Sequence, residues 1–194
     1  MNRIAQTIDK QGRLLATGQT TVYVAGDNGT FQTGLPKTYT VLTLGQYSGT
    51  TNIVLNGKTD THSNNCVFDN RTRLMWLRYA SASVGPASDG KLPWTTNAGG
   101  EGIFTYCAAA NAAGLGGYAD WRVPNKFEFL SILDNEPPNS LPNSTAFPSF
   151  AQDYYWSSSI KPDSVTQSHR LSSASAEIVS GTVTNAYRIL LVRG

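Results

Sequence analysis

"GLGGYADWRVPNKFEF" (residues 114–129) is the stretch on which the reading of this chain turns. It holds three glycines, an Asp-Trp-Arg run and a proline, and it leads straight into a helix start. Asn125 follows Pro124 as an N-cap, and Glu128 three residues later completes a capping-box pattern. Phe127, Leu130 and Leu133 or Asp134 mark the faces of this helix, and Pro137 and Pro138 cannot continue it. Upstream, "IFTYCAAANAAG" (103–114) carries Ile103, Tyr106, Cys107 and Ala110 at helical spacing, with Gly114 as a natural stop. The stretch therefore joins two helices. Its glycines fit tight turns, Trp121 is expected in the core, and Asp120 is expected to pair with Arg122. A binding site offering Asp120, Trp121 and Arg122 is the competing reading.

Working outward, residues 1–19 are a polar lead-in, and 20–57 carry a β pattern. "TTVYVAGDNGTFQTG" (20–34) predicts strand, Gly-Asp-Asn-Gly turn, strand. "TYTVLTL" (38–44) alternates, with Tyr39 and Val41 on one face and Leu42 or Thr43 on the other. "TTNIVLNGKTD" (50–60) predicts a short strand closed by the hairpin pair Asn56-Gly57. The polar "KTDTHSNN" (58–65) is the expected boundary, dividing a β-rich region at 1–60 from a main domain at 61–194. That domain opens with "CVFDNRTRLMWLR" (66–78), two short strands around a turn at Asp69 to Thr72. A loop is expected over 81–102.

The composition suits one medium domain with a small companion, since 40% hydrophobic residues in 194 suffice for a core. The 15 Lys and Arg are scattered and the net charge is only +2, so no nucleic-acid partner is expected. No run approaches a membrane span, and "MNRIAQTIDKQGRLL" lacks the apolar core of a signal peptide. A chain acting outside a cell would then leave by another route, such as assembly into a virion, and a virion or cell surface is the expected location. Asn28, Asn70 and Asn143 match the glycosylation sequon and are taken as chance. Cys66 and Cys107 leave two alternatives open, a single disulfide or two buried thiols.

From 157 to 185 the chain holds 12 Ser or Thr among 29 residues, a composition that in isolation reads as linker. Its flanks argue otherwise. "DYYWSSS" (153–159) is strand-like and "AYRILLVRG" (186–194) has a buried-strand pattern, so the polar part is expected as a displayed surface loop or hairpin.

"FDNRTRLMW" (68–76), "GGYADWRVPNKFEFLSILD" (116–134), "YWSSS" (155–159) and "LLVRG" (190–194) together resemble the C-type-lectin-like domain family typified by the C-terminal domain of the Legionella collagen-like adhesin. The resemblance covers about 65–194, and the four motifs fall in the family's order. With the N-terminal β region and the "VRG" ending, the chain is similar to the variable proteins of diversity-generating retroelements, found in phages, viruses and bacteria. The resemblance implies an α+β fold: two helices brace a small, twisted, mostly antiparallel sheet whose first and last strands pair. It also implies a ligand surface in the C-terminal part, where mutagenesis of template adenines changes chosen side chains. The chain departs from the family at Arg73, where Gly is usual, and at Leu191, where Cys is common, so neither that turn geometry nor the family's disulfide pattern is carried over.

On that basis the expected ligand-binding residues are Tyr155, Ser157, Ser159, Lys161, Asp163, Ser164, Gln167, His169, Arg170, Ser172, Ser175, Tyr187 and Arg188. Polar and aromatic side chains of this kind give adaptable contacts, and strand alternation would set Trp156 inward with Tyr155, Ser157 and Ser159 on the opposite face. No catalysis is expected: "GxSxG" is absent, and His62 and His169 lie in no triad motif. "EPPN" (136–139) and "KPD" (161–163) each offer one acid beside proline, too few oxygens for Ca²⁺, so neither a metal nor a cofactor is expected. Trp76, Trp121 and Trp156 are assigned to the core, with Trp94 the one open to a sugar-stacking role. The expected partner is a protein or glycan on a host or target cell, with homo-oligomerisation open. Two other readings remain: a virion structural or assembly protein, and a fixed-specificity adhesin for sulfated glycans using Lys161, His169, Arg170 and Arg188.

Overall fold

A computed structural model describes residues 13–42, 50, 52–61, 66–134 and 142–194. Most of the expected lead-in, the end of the 38–44 strand, His62 and the EPPN sequence lie outside the described residues. The fold is α+β, with short helices and mostly antiparallel strands.

The first described element is a single helical turn, α1 (Asn28–Phe31), where a hairpin is predicted. Asp27 explains the difference. Its carboxylate accepts the N–H groups of Tyr23 at 2.9 Å, Val24 at 3.3 Å and Thr30 at 3.0 Å, which turns Gly-Asp-Asn-Gly into an N-cap. The N–H of Tyr23 does most to hold this carboxyl down, to about 2. Around it, 13–36 form turns tied by a bridge between Leu15 and Leu35, not the expected β unit.

Strands β1 (Tyr39–Leu42), β4 (Cys66–Asp69), β5 (Met75–Leu77) and β11 (Val192–Arg193) form one sheet in that order. The chain's last strand therefore pairs with β5, not with the first strand of the domain, β4. The β4–β5 turn is built by Asp69, whose side chain accepts from the N–H of Arg71 at 2.8 Å and of Thr72 at 3.2 Å. Arg73 follows at φ 66°, the left-handed region that glycine enters freely, and its guanidinium stands 5.0 Å from the Phe68 ring.

Strands β2 (Asn52–Leu55) and β3 (Lys58–Thr61) form the predicted hairpin, with Asn56 at φ 49° and Gly57 at 73°, the twist a tight hairpin needs. The hairpin spans the 60/61 position, and Ile53 and Leu55 belong to the same core as Trp76 and Trp121. Buried Asp60 fixes it there, accepting from the Tyr106 hydroxyl at 2.9 Å and the Ala82 N–H at 3.2 Å. Burial, then Asp60, pushes the Tyr106 hydroxyl well above its ordinary range.

Both predicted helices form. The first, α2 (Ile103–Ala112), buries Ile103, Tyr106, Cys107 and Ala110 as the spacing requires. The second, α3 (Lys126–Ile132), starts with the full capping box of Asn125 and Glu128. Its inner face is Phe129 and Ile132, continued by Leu133, while Phe127 is half exposed, so the predicted faces are rotated. The cysteines are both buried and unbridged. Cys107 donates its S–H to the Trp121 carbonyl at 3.1 Å, and burial pushes its thiol up to about 11.

The second sheet orders β6 (Lys91–Pro93), β10 (Ala186–Arg188), β7 (Tyr154–Ile160), β8 (Gln167–Ser172) and β9 (Glu177–Thr182). Only β10 and β7 run parallel. The 81–102 segment, expected as a loop, contains a strand, β6, whereas the Ser-rich tail forms the hairpin of β8 and β9, one of its two expected forms. Ser157, Ser168 and Ser173 lie fully buried because each hydroxyl donates to a backbone carbonyl, to His169 O, Ser159 O and Ala151 O respectively.

Candidate functional site

Cross-strand register sorts the side chains of the second sheet onto two faces. Tyr155 pairs with Leu171, and Leu171 with Ile178. This face turns toward α3, where the Phe129 ring lies 6.3 Å from that of Tyr155. Trp156 pairs with Arg170, and Arg170 with Val179, on the other face. Tyr154 lies two residues from Trp156, and Tyr187 on β10 stands beside both, with ring centroids 5.4 Å from Tyr154 and 5.0 Å from Trp156.

Trp156 is fully buried and donates its indole N–H to the Leu92 carbonyl at 3.0 Å. Above it lies Arg170, with its guanidinium carbon 3.7 Å from the Tyr154 ring centroid and 4.2 Å from that of Tyr187. Gly181 permits this packing. A Cβ there would stand 2.9 Å from Arg170 Cδ and 3.0 Å from the Trp156 ring. The result is a sheet face on which a cation packs against two tyrosine rings over a buried tryptophan.

Of the expected site residues, the structure brings Arg170 and Tyr187 together on this face. Tyr155, Ser157 and Ser172 are buried and offer no side chain to a ligand, which corrects their expected exposure. Tyr155 is fixed by its hydroxyl, which donates to Ala151 O at 3.2 Å and accepts Ala151 N–H at 2.9 Å. Arg188 is half-buried and already paired: it bonds Asp153 at 3.1 Å and Ser81 O at 3.0 Å, while Lys91 takes the same Asp153 oxygen at 3.0 Å. Burial disfavours the Asp153 carboxylate, yet Lys91, the Tyr154 N–H and Arg188 together hold it below its ordinary range.

Lys161, Asp163, Ser164 and Gln167 sit at the β7–β8 connection, where Lys161 and Asp163 pair at 3.1 Å. His169 is on the α3 side, with its Nε2 accepting from Lys126 Nζ at 3.4 Å and its Nδ1 buried without a partner. Burial, reinforced by Lys126 and Lys161, lowers its pKa. Ser159 accepts the Lys126 N–H at 3.2 Å, and Ser175 donates to Ser172 at 3.0 Å in the β8–β9 turn. The expected basic patch is thus divided. Arg170 is on one face, His169 with Lys161 and Lys126 on the other, and Arg188 is half-buried and paired with Asp153.

Tyr154, Val179 and Lys126 were not among the expected residues. Tyr154 was legible in principle, because alternation from an inward Trp156 puts it on the Trp156 side. Two adjacent tyrosines hid which one that was. Trp94 is half buried, donates to Ser157 O at 2.9 Å and meets Phe104 edge-on at 5.0 Å, a packing role. The pairing expected of Asp120 and Arg122 is replaced by two separate ones. Asp120 takes Arg193 at 2.6 and 3.0 Å, and Arg122 takes Glu128 at 2.7 and 2.6 Å.

Among the described residues no three His, Cys, Asp or Glu cluster to hold a metal, and no helix is long and apolar enough to cross a membrane. The arrangement is that of an α+β domain with an aromatic and cationic sheet face. Residues 65–193 match the Lcl C-terminal domain family, and the chain belongs to that family. It is an adhesin-type family. No curated protein matches the chain.

Proposed function

We propose that this chain is a non-catalytic receptor- or adhesin-type protein whose C-type-lectin-like scaffold, over about 61–194, displays a sequence-diversified surface for a protein or glycan on a target cell. In this reading it is a retroelement variable protein of a phage or virus, and 1–60 is its N-terminal appendage. The observation that carries the proposal is the Tyr154–Arg170–Tyr187 face. Tyrosine and arginine are the residues that concentrate at recognition surfaces, and a rigid sheet presents them at low entropic cost. Trp156 and Gly181 beneath supply a fixed floor, so outward neighbours can vary without disturbing the core.

Binding of labelled protein to a panel of candidate target cells tests the first part. Tyr154→Ala combined with Tyr187→Ala should abolish binding. Thr40→Ala with Asn52→Ala, outside this sheet, should leave it intact; equal binding by all three proteins would overturn the proposal. Diversification is tested by sequencing sibling gene copies and any adjoining template repeat. Changes confined to outward positions of 154–188 support it, and uniform drift along the chain sinks it.

One observation favours the sulfated-glycan reading: Lys126 and Lys161 both lie close enough to His169 on the α3 side to lower its pKa. Loss of cell binding on Lys126→Ala with Lys161→Ala, while Tyr154→Ala with Tyr187→Ala still binds, would move the site there.

A further inference from the structure

Arg170 differs from most of the other arginines whose partners are described; Arg73, over the Phe68 ring at 5.0 Å, is the other that shows a ring and no acceptor among the described residues. Arg122, Arg188 and Arg193 each hold a carboxylate. Arg71 donates to the Pro36 carbonyl, and Arg78 to those of Thr145 and Ala146. Arg170 has neither a carboxylate nor a carbonyl among the described residues; its contacts are the rings of Tyr154 and Tyr187. Its Nε is buried without an acceptor. That leaves the two Nη groups, a planar fork already oriented by the rings and waiting for acceptors.

We propose that Arg170 is the recognition point for a surface carboxylate of a protein ligand, a Glu or Asp side chain gripped end-on by the Nη fork while Tyr154 and Tyr187 pack against the ligand around it. This rests on the reading of that face as the ligand surface and adds its chemistry. A guanidinium and a carboxylate match as two parallel hydrogen bonds. Packing against the two rings removes the rotamer freedom that an exposed arginine would lose on binding. Val179 and the tyrosines make the surroundings flat and partly apolar, which suits a protein surface. A densely charged ligand finds more cations at Lys126 and Lys161, on the opposite side.

The test uses the full chain labelled with ¹⁵N and two probes, the peptides acetyl-Gly-Glu-Gly-amide and acetyl-Gly-Gln-Gly-amide. The arginine side-chain N–H signal assigned by its loss in Arg170→Lys is followed during titration. The Glu peptide should shift it saturably, with a dissociation constant of about 1–10 mM, as befits a single ion pair. The Gln peptide should not, and Arg170→Lys should weaken Glu-peptide binding at least about tenfold, read from the Tyr154 and Tyr187 ring signals. An unchanged thermal midpoint shows that Arg170→Lys remains folded. Equal shifts with both peptides, no saturable shift, or full binding by Arg170→Lys would overturn the carboxylate assignment. If the assignment fails while Tyr154→Ala with Tyr187→Ala still abolishes cell binding, the face remains the ligand surface with another chemistry. If cell binding survives the double variant, both readings fall.

Discussion

The 114–134 segment and the 154–188 sheet carry similar residue types and do opposite things with them. In the first, the polar groups are spent on the fold. Asn111 clasps the Trp121 backbone from both sides, accepting its N–H at 2.7 Å and donating to its carbonyl at 2.8 Å. Trp121 itself is 2% exposed, with its indole N–H on the Leu115 carbonyl at 2.9 Å. In the sheet, Arg170 is held by rings alone and keeps its hydrogen-bonding capacity free. What separates scaffold from surface is whether polar groups find partners inside the molecule, not how functional they look in sequence. The strongest way to break this comparison is Trp121→Ala. It should cost about 3–5 kcal/mol, the range for large buried aromatics, measured by urea unfolding. Tyr154→Ala, at a side chain 37% exposed, should cost far less; similar losses would mean that the two regions are not distinct.

The serines sharpen the same contrast at smaller magnitude. Ser173 accepts the Asp153 N–H at 2.8 Å, and its hydroxyl lies 2.9 Å from Asp153 O and 3.0 Å from Ala151 O, all in a buried setting. Ser173→Ala strands the Asp153 N–H and should cost about 1–3 kcal/mol. Asp153 O keeps the Ser173 N–H at 3.1 Å, and Ala151 O keeps the Tyr155 hydroxyl. Ser180, exposed on β9, should tolerate alanine within about 0.5 kcal/mol. Next comes Asn125→Ala, which removes one half of the capping box on α3 and should cost about 1 kcal/mol. Since Glu128 both caps Asn125 N–H at 2.8 Å and holds Arg122, Glu128→Gln should show how far the two roles are coupled.

The parts of this fold that were legible in the sequence are those governed by local chemistry. The capping box at Asn125, the Asn56-Gly57 hairpin, the Asp69 turn and the α2 spacing each depend on residues a few positions apart. The family resemblance was legible for a related reason, since its four motifs are themselves local turns and strand ends. What failed depends on distant partners. Nothing near Asp120 announces Arg193, and nothing near Ser157 or Ser168 announces that a neighbouring strand lies over it. At Asp27 two local signals competed: the Gly-Asp-Asn-Gly turn pattern was real, but the carboxylate gathered three N–H groups and made a helix cap of it. The candidate face was half legible. Arg170 and Tyr187 are among the expected binding residues; Tyr154 is not, because alternation puts it on the face of Trp156, which the sequence assigns to the core.

The smallest effect concerns His169, the neighbour of Arg170 that the strand turns to the other side. Its lowered pKa comes first from burial, then from Lys126 on α3 and from Lys161; Asp163 pulls weakly the other way. The unfolded histidine takes up its proton near pH 6.5. Between that value and its lower folded pKa, the unfolded state therefore binds more protons than the native state. Stability is complete above about pH 6.5 and falls as the pH drops through that window. His169→Gln should flatten the fall, by well under about 1 kcal/mol given solvent screening. Asp153 acts in a separate window. Its folded pKa is lowered, so the stability it lends is present above about pH 4 and is lost only below it. Salt then separates the two causes at His169. Burial is unaffected by ionic strength whereas the lysine contributions are screened, so about 0.5 M salt should shrink the slope without removing it. A slope that vanishes in salt would make Lys126 and Lys161 the dominant influence, and would strengthen the α3 side as the anion-binding face.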